Sequence, residues 1–189
     1  MKRVFIVHGW GGHPSEGWFP WLKKKLEARG FKVEVPEMPN TDEPDIKEWV
    51  SFLKNTVGSV DSDTYFIGHS VGCQTILRYL ESIDTKVGGV VLVAGWFNLT
   101  PETFEEEGAE EIAMPWISTP IDFEKVNANC EKFLCVFSDN DPYVPLSDID
   151  IFREKLNNVE VVVQEKKGHF SGEDGIKELP VVLEFFRNL

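Results

Sequence analysis

Few features of this sequence point to metal, nucleotide or disulfide chemistry. Only three of its 189 residues are cysteine (Cys73, Cys130 and Cys135), and no two stand in a C-x-x-C spacing. An odd thiol count provides no disulfide framework and suits a reducing compartment, where small buried cysteines serve as core. No H-E-x-x-H run occurs, so a metal site would have to be assembled from His8, His13 and scattered carboxylates, without ligand spacing. G-x-G-x-x-G and G-x-x-x-x-G-K-[ST] are absent too, which disfavours nucleotide binding.

Positive charge is also scarce. Nineteen Lys and Arg face 32 Asp and Glu, a formal net charge of -13 that repels nucleic acid and anionic bilayers alike. No apolar run approaches the roughly 20 residues of a membrane span, and "MKRVFIVHGWGG" has neither the length nor the cleavage site of a signal peptide. The expectation is a soluble, cytoplasmic chain without metal or cofactor. It has no nucleic-acid or membrane partner and forms one domain over residues 1–189.

Six short runs rich in Val, Ile, Leu and Phe read as strands: Arg3 to Gly9, Phe31 to Pro39, Thr64 to Ser70, Gly88 to Trp96, Lys132 to Asp139 and Val159 to Lys166. Helical stripes separate them. Leu22 and Leu26 start one, Ile46 to Val57 forms another with Pro44 in its first turn, and Ile76 to Ile83, Ile149 to Leu156 and Leu179 to Phe186 supply the rest. Alternating strand and helix predicts an α/β fold, a three-layer α/β/α sandwich around a six-stranded, mostly parallel sheet. One stretch, about 97–129, is too long for a connection. It carries the acidic run "EEEGAEE" and reads as a lid-like insertion or a small extra helical layer.

Ser70 lies where the third strand passes into a helix, within Gly68-His69-Ser70-Val71-Gly72. That is the G-x-S-x-G nucleophile elbow, in which a tight turn lifts the serine oxygen above the sheet and leaves no room for a Cβ on either flank. A serine hydroxyl needs a base, and the base needs a carboxylate to orient it. Only His169 follows Ser70 among the four histidines, in a loop after the sixth strand; His69 should point to the opposite face. The carboxylate falls in "SDNDPYVPLSD". Asp141, before Pro142, is preferred, with Asp139 as substitute and Asp148 assigned to the next helix's first turn. The backbone N–H of Val71 and one from "HGWGGHP", Trp10 before Gly11, are the candidate oxyanion donors.

The segments "HGWGGHPSEGWFPWL", "GHSVGCQTILRYL", "SDNDPYVP" and "KKGHF", in that order, resemble the small single-domain α/β-hydrolases of the YdeN and retinoblastoma-binding-protein-nine family. The resemblance runs nearly end to end. It implies a reduced α/β-hydrolase fold lacking the first two strands of the full sheet, and a triad of Ser70, Asp141 and His169. The acidic insertion around Glu105 to Glu111 departs from the family pattern. The expected activity is hydrolysis of a small ester, thioester or activated amide through an acyl-enzyme, of carboxylesterase type. Trp96, Phe97 and Trp116 are expected to line the substrate pocket. The alternative is a protein-interaction or scaffold module on a hydrolase fold, with the insertion as its interface.

Overall fold

The structure is a computed structural model that describes residues 1–187 and 189. Six strands form one sheet: β1 (Arg3–Val7), β2 (Lys32–Glu34), β3 (Thr64–His69), β4 (Gly89–Val93), β5 (Phe133–Ser138) and β6 (Val159–Gln164). Their order is β2-β1-β3-β4-β5-β6, and all five pairings are parallel. Strands β3, β4 and β5 are buried at every position, as continuous apolar runs covered by helices on both faces require. The edges differ. β2 is only three residues long, because Pro36 and Pro39 have no N–H to donate and so end an expected strand that ran to Pro39.

Helix α1 (Phe19–Glu27) buries Phe19, Leu22 and Leu26, and the chain then turns at Gly30 with φ 88°. In α2 (Ile46–Val57) the cap is Asp45, whose carboxylate accepts the Glu48 N–H at 2.9 Å. Pro44 therefore stands before the helix, outside the first turn expected for it. α3 (Val71–Glu81) leaves directly from β3 and is buried from Val71 to Leu80. The 97–129 stretch holds a 3-10 turn (Pro101–Glu105), α4 (Ala109–Ser118) and α5 (Phe123–Asn129). α6 (Asp148–Lys155) and α7 (Pro180–Phe185) complete the layers.

Strand order reverses between β1 and β3, the place in an open parallel sheet where loops diverge and leave a crevice at the carboxyl ends. Register pairs Val7 with Gly68 and His69 with Val93. The loop after β1, the elbow after β3 and the turn after β4 therefore emerge side by side.

Candidate active site

Ser70 links β3 to α3 with φ 54° and ψ -124°, a backbone region that non-glycine residues enter at about 1–3 kcal/mol. Its N–H donates to Val93 O at 2.9 Å, and its carbonyl accepts from Cys73 at 2.9 Å, which hold the turn. The flanking glycines are required by contact. A Cβ on Gly72 would stand 2.4 Å from Val7 O, and one on Gly68 would stand 2.8 Å from the Cys73 backbone. The elbow can seat its serine only because α3 packs this closely on β1.

The imidazole of His169, in the loop between β6 and α7, meets Asp141 through Nδ1 at 2.9 Å to Oδ2 and 3.1 Å to Oδ1. Asp141 is set for this. Its side chain is 2% exposed, and Oδ1 also accepts the N–H groups of Tyr143 (2.9 Å) and Val144 (3.1 Å), an Asx turn that Pro142 stiffens. The other aspartates are engaged elsewhere. Asp139 Oδ1 accepts the Lys166 N–H at 2.7 Å. Asp148 is wholly buried, and its carboxylate accepts from Phe97 N, Asn98 N and Asn98 Nδ2 at 2.6, 2.8 and 2.8 Å.

His69 makes no hydrogen bond to the serine oxygen among the described residues. Its Nε2–H donates to the carbonyl of His169 at 2.7 Å, and its ring centroid is 5.0 Å from that of His169. Burial first, then the neighbouring His169, lower its pKa to about 3, so it is a neutral donor at any ordinary pH. Trp18 and Phe19 pack edge-on against its ring, and Trp18 Nε1–H donates to Phe170 O at 3.1 Å. Asp174 Oδ2 accepts the His169 N–H at 2.9 Å. The contacts of His69 with His169 and of Trp18 with Phe170 join residues 100 or more positions apart, and on sequence alone His69 is assigned no such role.

On the other side, an ideal Cβ on Gly9 would stand 3.1 Å from Ser70 Cβ, so the loop after β1 runs against the serine. Gly11 N–H is committed to Thr41 O at 2.7 Å. Among the described residues the N–H groups of Trp10 and Val71 have no partner, and the latter opens α3. His8 secures this loop. Its Nε2 accepts from Met38 N at 3.0 Å, so Nδ1 carries the proton and donates to Gly9 O at 2.9 Å. Both ring nitrogens are thus occupied, and burial lowers the His8 pKa.

Of the three expected pocket residues, only Trp96 reaches the serine, its Nε1–H lying 3.4 Å from Ser70 Oγ. Phe97 packs on Phe152 (4.5 Å) and Phe123 (5.7 Å) instead. Trp116 is 2% exposed, stands 6.2 Å from Trp49, and donates to Pro44 O at 2.8 Å. Ser70 itself is 8% exposed, and no hydrogen bond joins Oγ to His169 among the described residues. Two surface cavities open elsewhere, one of about 570 Å³ beside Phe123, Asn127 and Lys155, another of about 200 Å³ between Leu134 and Phe185. Burial pushes the thiols of Cys73, Cys130 and Cys135 well up, that of Cys130 to about 12, which keeps them protonated. Among the described residues no three His, Cys, Asp or Glu side chains converge as a metal site, and no helix is long and apolar enough to cross a membrane.

Comparison with known proteins adds a decisive observation. A sequence model of the serine hydrolase family matches residues 4–188, nearly the whole chain. The chain belongs to the serine hydrolase family. The chain is 29% identical to YdeN of Bacillus subtilis (strain 168) over 185 residues, covering 97% of this chain and 93% of that one. It is likewise 29% identical to serine hydrolase RBBP9 of Rattus norvegicus over 171 residues, covering 89% and 87%. The crystal structure of the ydeN gene product superposes with a TM-score of 0.85 at 28% identity, over 98% of this chain and 99% of its counterpart. Est1E of Butyrivibrio proteoclasticus, solved with ferulic acid bound, shares the fold at a TM-score of 0.71 and 16% identity, over 98% and 90%. The fold is thus the reduced α/β-hydrolase one, with six parallel strands and helices on both faces.

Proposed function

We propose that the protein cleaves small esters, thioesters or activated amides with Ser70 as nucleophile, His169 as general base and Asp141 as its orienting carboxylate. The observation that carries this reading is the Asp141–His169 pair at 2.9 Å, tied through His69 to the end of the strand that leads into Ser70. With Nδ1 engaged by Asp141, the imidazole has Nε2 left for the serine proton. Before attack, Ser70 Oγ leaves Trp96 Nε1 and turns to that nitrogen; such catalytic hydrogen bonds are often unformed without substrate. Oγ then bonds to the carbonyl carbon while its proton passes to His169. The resulting oxyanion is received by the N–H groups of Val71 and Trp10, which are supported in that role by having no other partner. Collapse expels the alcohol, thiol or amine, which takes the proton from His169. Water repeats the sequence to release the acid.

In this reading 97–129 acts as a lid, which accords with the low exposure of Ser70. In this reading, too, the substrate is a small ester-like molecule, and the protein works in the cytoplasm. A fluorophosphonate probe with mass-spectrometric mapping tests the proposal. Ser70 should be modified, and Ser70→Ala should lower turnover of a chromogenic ester by about 10⁶. Wild-type turnover in Ser70→Ala refutes the assignment, and a folded protein that ignores the probe supports the scaffold alternative.

A further inference from the structure

The loop that presents His169 is conformationally unfavourable. Lys166, Gly168 and Phe170 have φ values of 54°, 55° and 57°, so the chain enters the left-handed region three times in five residues. No regular ladder satisfies the N–H groups of such a path, and Lys166 and Phe170 each carry a Cβ that resists it. Side chains from the end of β5 take up the task. Asp139 Oδ1 accepts the Lys166 N–H (2.7 Å), Ser138 Oγ accepts that of Lys167 (3.0 Å), and Asn140 Oδ1 accepts that of Gly168 (2.9 Å). Asp141 then takes the imidazole of His169 itself. Four consecutive side chains thus engage four consecutive residues of the opposite loop. The amide of Asn140 is itself oriented, because Ser138 Oγ–H donates to the same Oδ1 at 2.8 Å.

Resting on the reading of His169 as base, we propose that Asn140 is a positioning residue: by holding the Gly168 N–H it sets where the His169 imidazole stands relative to Ser70 and Asp141. Asn140 is exposed, so its hydrogen bonds contribute little to global stability. Their effect on alignment is larger, since a displacement of about 1 Å at a catalytic group can lower the rate about 10²-fold. A residue of this kind reveals itself by a loss of turnover out of proportion to any loss of stability.

The test uses the full chain with Asn140→Ala and Asn140→Asp, the second keeping an acceptor for the Gly168 N–H. Three readouts are needed: kcat and KM on a chromogenic ester, the thermal midpoint, and the low-field proton resonance of the His169 Nδ1–H bonded to Asp141. Asn140→Ala should lower kcat by about 10- to 100-fold with KM nearly unchanged, a midpoint within a few degrees of wild type, and the resonance shifted or broadened. Asn140→Asp should recover most of the turnover. Wild-type kcat with an unmoved resonance in Asn140→Ala overturns the proposal, and so does an equal loss in both variants. If the wild type shows no Ser70-dependent turnover, the hydrolase reading fails, yet the resonance still decides whether Asn140 sets the imidazole. Should Asn140→Ala not fold, Asn140→Ser, whose shorter side chain does not reach the Gly168 N–H, takes its place: lowered kcat at constant KM supports the proposal, and unchanged kcat overturns it.

Discussion

Lowering the pH from 7 to 5 probes the burial of His69 directly. Its imidazole is 4% exposed and packed between Trp18, Phe19 and His169, and its folded-state pKa falls from 6.5 to about 3. The unfolded chain binds a proton at this residue below about pH 6.5, whereas the folded chain refuses it until about pH 3. Stability from this group is therefore complete above pH 6.5 and is lost as pH falls through that window. Between pH 7 and pH 5 the linkage spans about 1.4 pH units at about 1.36 kcal/mol each, or about 2 kcal/mol. In a chain of this size that is roughly 4–8 °C of melting temperature. The assay is urea unfolding at pH 5, 6 and 7 for wild type and for His69→Gln, whose amide N–H can still donate to His169 O but does not titrate. Most other titrating groups cancel in the difference, so the wild type should lose about 2 kcal/mol more than the variant by pH 5. Parallel stability curves for the two proteins would refute the account of His69 as a buried neutral donor.

Two further substitutions test the surroundings of the site. Gly72→Ala should cost about 3 kcal/mol or more in chemical denaturation, because the new methyl would lie 2.4 Å from the Val7 carbonyl, a backbone atom with nowhere to go. Arg78 is buried with no carboxylate in salt-bridge range among the described residues, and its guanidinium donates to the carbonyls of Trp116 (3.0 Å), Thr119 (2.8 Å) and Pro120 (3.5 Å), clasping the end of α4 to α3. Arg78→Met should lose about 2–3 kcal/mol and be cut by a protease near residues 101–120 faster than the wild type; equal protease resistance would show that the insertion is held by other contacts.

Much of the molecule was legible along the chain. β-branched runs alternating with helical stripes are a local pattern, so the number of strands and their succession along the chain followed without knowledge of the packing. The elbow was legible for a similar reason: Gly68 and Gly72 mark a turn whose crowding arises within five residues and from the strand next door. Strand ends were less legible, as in β2, where two prolines stop a run that hydropathy alone would extend.

The choice among Asp139, Asp141 and Asp148 shows where local pattern stops. All three are acidic residues near the end of β5, and only the folded chain separates them. Asp141 is turned to His169 across 28 positions, Asp139 to the backbone of Lys166, and Asp148 inward to Phe97 and Asn98. The same holds for Trp116, whose indole serves Pro44 rather than the serine, and for Asn140, which no motif marked. Composition and periodicity by themselves determined the layers, the strand sequence and the serine at its turn, because short-range sterics and hydrophobic burial repeat with fixed periods. Which polar side chain meets which partner was decided by the tertiary structure, because a hydrogen bond depends on direction and on a distance of about 3 Å between groups that the sequence leaves far apart.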